Sequence, residues 1–384
     1  MLKLSLLLKL GFVGIAGFII YEYSHHVKCS PTRLGSTHNI PKECYPEQIR
    51  AEQEEAKILI EKIRNQPAFI CNLEPKPTLP ADTQSLYQYA LWHDLHWHED
   101  NFAKPAGEKN FTPLFELIPI YHIAASNGNY LATLRLMQLF AEHNVGDNDF
   151  PQQYRDSVAM LYEKQFPIHA NFNKSDTWDI DVVRPYADQG VIQAINRMGE
   201  LSVQPNLLEY LSEEDNKLAS EFSQQFFQCS AKQHSLIGLD GLYSQMKEPA
   251  TPEKTMEKYQ QYARFGLYLD HLAQLFDPKN NHVTNFPKDR ERSQRYQELH
   301  QFFENYPFFK KSRRNEFLKN DGQFQIQIDD IKEIIPLPPA KLDKWNGKFN
   351  FQRWYEGRPP IKPTARIKQL ANKAKLNWQT GLPK

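Results

Sequence analysis

The stretch Ala187–Gly199, ADQGVIQAINRMG, reads Ala187-x-x-Gly190-x-x-x-Ala194-x-x-x-Met198-Gly199. A glycine at the break between two apolar runs suits a helix C-cap, where φ is positive and a Cβ would clash. Ala194 and Met198 then stand i, i+4 on one face of the following helix. Small side chains at such points let two helices cross closely, so the stretch predicts a tight antiparallel helix pair. The frame recurs without a gap at Ala125-x-x-Gly128-x-x-x-Ala132-x-x-x-Leu136 (ASNGNYLATLRL). A degraded copy stands at Ala231-x-x-His234-x-x-x-Gly238-x-x-x-Leu242 (AKQHSLIGLDGL).

These copies resemble the Sel-one-like repeat, a relative of the tetratricopeptide repeat. The resemblance covers roughly residues 110–275, and it implies an α-solenoid of helical hairpins. The copies are unevenly spaced, so insertions intervene.

The chain has 384 residues, enough for a sizeable core, and its 46 Lys and Arg balance 46 Asp and Glu. That balance carries no global nucleic-acid signal. Aromatic residues make up 12%, which argues against disorder, and only 16 glycines with few strand-like runs point to a mainly helical protein.

The chain opens MLKLSLLLKLGFVGIAGFIIYEYSHHVKCS, in which Lys9 is the one strong interruption between Leu4 and Tyr21. As a helix this run spans about 27 Å, enough for a thin bilayer. Lys3 and Lys9 precede the apolar core, and Tyr21 and Tyr23 suit the opposite interface. The reading is an uncleaved single-pass inner-membrane anchor with the bulk of the chain in the periplasm. A cleaved signal peptide and a cytosolic product are the other readings. Gly11, Gly14 and Gly17 line one face of that helix, as is common in membrane segments.

Four cysteines fit an oxidising compartment and allow three pairings. Cys44 and Cys71 flank the expected helix Pro46–Asn65, about 30 Å long, and joining them would strain the returning chain. The expected pair is therefore Cys29–Cys44. No C-x-x-C is present for a metal.

In Pro46–Asn65 the residues Ile49, Ala56, Leu59, Ile60 and Ile63 form an apolar side, and Pro67 stops the helix. The linker Glu74–Pro80 leads to a second helix, Thr83 to about His98, with Leu86, Ala90, Leu91 and Leu95 inward. That helix carries His93, His96 and His98 with Asp94, Glu99 and Asp100. His93 and His96, i, i+3 apart, could reach one metal, or they are half-buried residues beside Trp92 and Trp97. No third ligand stands at zincin spacing. H-E-x-x-H, G-x-S-x-G, the P-loop and G-x-G-x-x-G are all missing. The carboxylate pairs Glu213–Glu214 and Asp329–Asp330 read as surface charge or a cap. The chain is thus expected to need no cofactor and to bind rather than catalyse.

Further helices are expected from Thr112 through Gly128, kinked at Pro119, with Asn129–His143 as partner. Pro151–Phe166 is expected as a helix with Val158, Leu161 and Tyr162 in the core. Asp181–Gln189 pairs with Val191–Val203, and Glu213–Gln233 with Ser235–Met246. Thr251–Phe276 reads as one long helix, and Arg292–Asn305 as the last clear one. Beyond it, Gly322–Ile328 alternates apolar with polar and Ile331–Leu337 follows, a strand signal. Pro336–Pro360 is too rich in proline for regular structure, yet Trp345, Phe349, Phe351, Trp354 and Tyr355 need burial. It is expected to wrap over the repeats as an ordered, partly β arm. The domain reading is an anchor at 1–28, a helix and linker at 29–82, a repeat domain at 83–305 and the arm at 306–384.

The arm's aromatic run, the closing TGLPK (Thr380–Lys384) and the IAASNG of Ile123–Gly128 resemble a bacterial domain family of unassigned function, from about residue 85 to the end. From Lys310 to Lys384 there are 17 Lys and Arg against 7 Asp and Glu. Either this basic arm complements acidic repeats internally, or it attracts anionic lipid or an acidic partner.

Membrane-anchored proteins with Sel-one-like repeats include immunity proteins that neutralise lipase effectors of type VI secretion systems. By that analogy the expected partner is a cognate protein toxin, with no nucleic acid involved. A scaffold for envelope assembly or signalling, and a metal-dependent enzyme using the His93 cluster, are the competing readings.

Overall fold

The computed structural model describes residues 46–73, 75–101, 103–105, 108–142, 152–175, 179–233, 235–244, 251–280, 287–309 and 334–384. These are mainly helical. They contain no sheet, and the isolated antiparallel bridge Leu376–Pro383 joins two loop segments. In order, the helices are α1 (Pro46–Asn65), α2 (Gln84–Asn101), α3 (Thr112–Phe115), α4 (Ile118–Ser126), α5 (Tyr130–Glu142), α6 (Gln152–Gln165) and α7 (Pro167–Phe172). Then come α8 (Ile180–Asp188), α9 (Ile192–Ser202), α10 (Pro205–Leu208), α11 (Glu213–Lys232), α12 (Leu236–Ser244), α13 (Pro252–Ala263), α14 (Leu269–Phe276) and α15 (Arg290–Asn305). Two helices follow in the arm, α16 (Asn350–Tyr355) and α17 (Thr364–Lys373).

The chain divides into two compact units, Met1–Gln66 with Val203–Ala219, and Pro67–Ser202 with Ser220–Lys384. In the first, α1 buries Ala56, Leu59, Ile60 and Ile63, the face its apolar spacing predicts, and α10 packs on it through Leu207. The Tyr210 hydroxyl donates to Glu52 at 2.9 Å, and Arg64 pairs with Asp215.

The second unit is built from helix pairs. At α4–α5 the chain turns through Gly128 at φ 93°, and at α8–α9 through Gly190 at φ 86°. Both glycines take the left-handed conformation that ends a helix without a Cβ penalty. The main core gathers Leu86, Ala90, Leu91 and Leu95 of α2 with Tyr121, Ile123 and Ala124 of α4, Leu136 and Leu139 of α5, and Phe276, Tyr296 and Phe303 of α14–α15. Residues of the arm, among them Phe349, Phe351, Tyr355, Ile367 and Leu370, belong to that same cluster.

Several expectations are corrected. The single-pass inner-membrane reading is overturned, because among the described residues no helix is long and apolar enough to cross a membrane. The 20-residue helices α1 and α11 have the length but carry charged faces. The anchor segment Leu4–Tyr21 lies outside the described residues, as does Gly322–Ile328. The described part of the arm, residues 334–384, contains no strand, against the expected partly β character. Ile335–Leu337 is not strand, and helices α16 and α17 form between the prolines instead.

Thr251–Phe276 is two helices. Gly266 stands between them at φ 78°, where a Cβ would lie 2.6 Å from the Phe303 ring. Tyr268 is also left-handed, so the helix cannot run through. At Pro119 the helix restarts rather than kinks, since the proline occupies the first turn of α4.

Candidate functional site

The histidine cluster of α2 was the most tempting chemistry in the sequence, and its surroundings decide its role. Asp94 is fully buried. It accepts from Arg135 Nε at 2.6 Å and Nη2 at 2.7 Å, and from the Tyr121 hydroxyl at 2.8 Å. Arg135 Nη2 also donates to His98 Nε2 at 2.6 Å. This is a bidentate ion pair completed by a tyrosine, the arrangement a buried carboxylate requires. Burial, with the Asp94 charge second, pushes the Tyr121 phenol well above its ordinary value, so Tyr121 stays a neutral donor.

His96 stacks between Trp92, 3.6 Å between ring centres, and Tyr355 of the arm, 4.4 Å away. Its Nδ1 donates to the Trp92 carbonyl at 2.8 Å. Tyr355 in turn donates to Glu99 at 2.6 Å. His93 rests against Tyr89, and burial, then His96 and Lys362, lower its pKa. Among the described residues no three His, Cys, Asp or Glu converge as a metal site. The cluster is thus a seat for the arm.

Two of the three motifs that carry the second resemblance, IAASNG and TGLPK, meet in space. His122, beside Ile123–Gly128, is buried, and its Nδ1 donates to the carbonyl of Gly381 at 2.7 Å. Its Nε2 accepts from the Ser157 hydroxyl, also at 2.7 Å. Tyr154 donates to the Thr380 carbonyl, and Asn127 Nδ2 bridges the carbonyls of Ile123 (2.8 Å) and Leu370 (3.1 Å). Gly381 is at φ 68°, and a Cβ there would lie 2.9 Å from the Pro119 Cα, so no side chain fits.

The irregular part of the arm is held by side chains from α13 and α15. Arg295 Nη1 donates to the Ile334 carbonyl at 2.8 Å and Arg292 Nε to that of Pro336 at 2.8 Å. Gln260 donates to the Ile335 carbonyl at 2.7 Å. Buried backbone without a ladder partner needs such donors.

The frame residues of the sequence reading lie as follows. Ala125, Ala132 and Leu136 are buried in α4–α5, and Ala187, Ala194 and Met198 in α8–α9. A Cβ on Gly199 would stand 2.6 Å from the Phe227 ring, so α11 lies close on α9 there. Gly238 in α12 lies against Ser230 and Ala231, with a Cβ 2.6 Å from Ser230 Cβ. Ala231 and Leu242 are only half-buried, and His234 lies outside the described residues.

Cys71 is bonded to Cys229, 158 residues on, a pair the sequence reading did not name. Cys29 and Cys44 lie outside the described residues. The bond ties the segment after Pro67 to α11. Alongside it Phe69 packs on Phe226 at 4.2 Å, and Arg184 Nη2 donates to the carbonyls of Pro67 and Ala68.

Over residues 334–384 the arm has eleven Lys and Arg, all exposed, against Asp343 and Glu356. Among the described residues, Lys373 alone of these reaches a carboxylate outside the arm, Asp82 at 3.4 Å, and Lys348 pairs with Glu356 inside it. Most of its apolar residues face the core, Ile361 and Trp378 being exposed, and its charge faces out. The other six cations of Lys310–Lys384 lie outside the described residues.

Fold and contacts together define the class: a mainly helical protein of paired helices with a C-terminal arm built into the core. Residues 310–384 match a family model described as a domain of unknown function, DUF6396. That is narrower than the resemblance read from residue 85 onward. No curated protein matches. Among solved structures, the chain is similar to the crystal structure of immunity protein Pa5087 from Pseudomonas aeruginosa. That match has 15% identity over 65% of this chain and 92% of that one, with a TM-score of 0.40. It is also similar to Pseudomonas aeruginosa 5086 (PA5086), at 14% identity over 63% of this chain and 90% of that one, again with a TM-score of 0.40.

Proposed function

We propose that this chain is an immunity protein that binds a protein toxin stoichiometrically and masks it, without chemistry of its own. The observation that carries the reading is the fate of its polar groups. His96, His98 and Asp94 are engaged in seating the arm and α5, while the arm's cations all point outward. A surface of exposed, net positive charge on a fixed scaffold suits recognition of another macromolecule. The helix pairs are read as Sel-one-like repeats, which mostly bind proteins. Within that reading the toxin is a lipase-type effector of a type VI secretion system. The proposal rests on the chain's own residues and on the sequence resemblance, and not on the likeness to the solved structures.

The test is co-expression with the toxin encoded beside this gene. Growth is rescued only when this chain is present in the compartment where the toxin acts, and the two copurify at fixed stoichiometry. The contact should bury about 1,600 Å² or more to hold against delivered toxin. A folded copy that neither rescues growth nor binds the toxin moves the assignment to the scaffold reading.

A further inference from the structure

The arm's outward face is not uniform. Arg358, Lys362 and Arg366 are all exposed, and between them Ile361 is 93% exposed, the most exposed large apolar side chain among the described residues. The sequence around it is Arg358-Pro-Pro-Ile361-Lys362-Pro-Thr-Ala-Arg366. Three prolines in nine residues fix the backbone at three φ angles. Both ends are clamped. On one side Phe351 and Tyr355 of α16 are buried, with Tyr355 bonded to Glu99 at 2.6 Å. On the other, Ile367, Leu370 and Ala371 of α17 are buried, and Asn127 holds the Leu370 carbonyl at 3.1 Å. Within the strip, Thr364 N donates to the Lys362 carbonyl at 2.8 Å. Among the described residues, none of Arg358, Lys362 and Arg366 makes an ion pair, and Arg366 reaches the neutral Gln369 at 2.8 Å.

An apolar side chain held in full solvent exposure, flanked in sequence by exposed cations on a backbone already ordered, is what a preformed docking element requires. Ordering costs on binding are small because the chain has little freedom left to lose. We infer that the strip Arg358–Arg366 is the docking element of this protein, and that its partner is a protein with an acidic surface surrounding an apolar depression that takes Ile361. The inference rests on the toxin-binding reading above. Charge complementarity selects the partner's sign, since the described arm carries eleven cations against two carboxylates. The mix of chemistries selects a protein. A nucleic acid would be met by a row of exposed aromatic platforms, whereas the strip holds no aromatic residue, Phe349, Phe351 and Tyr355 face inward, and the one exposed ring among the described residues of the arm, Trp378, is covered by Lys368 at 4.6 Å. A bilayer surface would be met by a broad apolar face, whereas α17 turns its apolar residues into the core.

The full chain is measured against the toxin encoded beside it, by surface-immobilised kinetics at several salt concentrations. Three variants accompany it: Arg358→Glu with Lys362→Glu and Arg366→Glu; Ile361→Asp alone; and a charge-matched control, Lys104→Glu with Lys164→Glu and Lys254→Glu. All the altered positions are exposed, so circular-dichroism melting should stay as in the native chain. The strip triple variant is expected to slow association more than tenfold at low salt and to flatten its salt dependence, while the control does neither. Ile361→Asp is expected to speed dissociation at least tenfold with little change in association.

Native kinetics in both strip variants, or equal slowing by the control, overturn the inference while leaving toxin binding standing. If the native chain does not bind the toxin, that reading falls on its own, and the strip is judged with poly-L-glutamate, phosphatidylglycerol vesicles and a DNA duplex. Salt-sensitive binding of polyglutamate alone, lost in the strip variant and kept in the control, supports an acidic polypeptide partner. Preference for vesicles or duplex, or binding of none of the three, overturns it.

Discussion

His122 Nδ1 lies 2.7 Å from the carbonyl oxygen of Gly381, a hydrogen bond closed across 259 residues of chain. It joins the start of the IAASNG segment to the chain's last turn. With Ser157 on its other nitrogen, the imidazole is held in one tautomer, donating from Nδ1 and accepting at Nε2. Replacing His122 with Leu leaves a carbonyl and a hydroxyl without their partner in a buried place. The expected loss is about 1–3 kcal/mol, read as a lower urea midpoint with an unchanged slope.

The same residue carries a pH dependence. Burial lowers the His122 pKa from 6.5, and the Gly381 carbonyl pulls partly the other way. As pH falls the unfolded chain takes up its proton first. Stability from this group is therefore whole above about pH 6.5 and is lost as pH drops through the folded value. Urea midpoints for the native chain should fall as pH drops below about 6.5. His122→Gln should show a shallower fall over the same window. Parallel curves would assign the slope to other groups.

Asp94 and Arg135 provide a test of a buried pair. Arg135→Leu strands the carboxylate with only tyrosine and histidine for company, and should cost about 3–5 kcal/mol. Replacing both, Asp94→Leu with Arg135→Leu, should cost less than the single change. A double variant worse than Arg135→Leu alone would contradict the pairing.

Ala194 is fully buried where α9 packs, and Gly199 on the same helix lies against the Phe227 ring. Ala194→Leu should overpack that crossing by about 1–3 kcal/mol, seen as a fall in the thermal midpoint. Gly199→Ala should also destabilise, because its Cβ falls 2.6 Å from Phe227 Cε1. Unchanged midpoints in both would mean that the helices are not in close contact there.

The Cys71–Cys229 bond closes a 158-residue separation. Reduction frees the denatured chain of that closure, an effect of about 3–5 kcal/mol in the chain-entropy account. Cys71→Ser should lower the urea midpoint by a like amount, and the variant should lose correspondingly less than the native chain on adding reductant. A midpoint indifferent to reductant in the native chain would show that the bond is absent in solution.

Much of the local structure was legible in the sequence because it is governed by near neighbours. Proline at the start of α1 and the apolar spacing through Ile63 mark that helix and its buried face. Gly128 and Gly190 mark two helix turns, since only positive φ lets the chain double back there. Where distant groups intervene, the local reading failed. Thr251–Phe276 has the composition of one helix, and it is the Phe303 ring, from another helix, that occupies the space beside Gly266. The histidines of α2 had metal-like spacing, and nothing nearby in sequence reveals that Tyr355 stacks on His96 or that Arg135 takes Asp94.

By itself, then, the sequence determined the helical character, the turns of the two clean hairpins and the excess of positive charge in the arm. Periodicity, glycine conformation and composition act over a few residues and need no fold to be read. Only the tertiary structure decided which cysteine meets Cys71 and which side of the arm its cations take. It also made the α2 histidines part of the seat for that arm. Each of these depends on which side chains are brought together across a hundred residues or more, by a core whose apolar contacts are non-directional and leave the partners unnamed until the helices are packed.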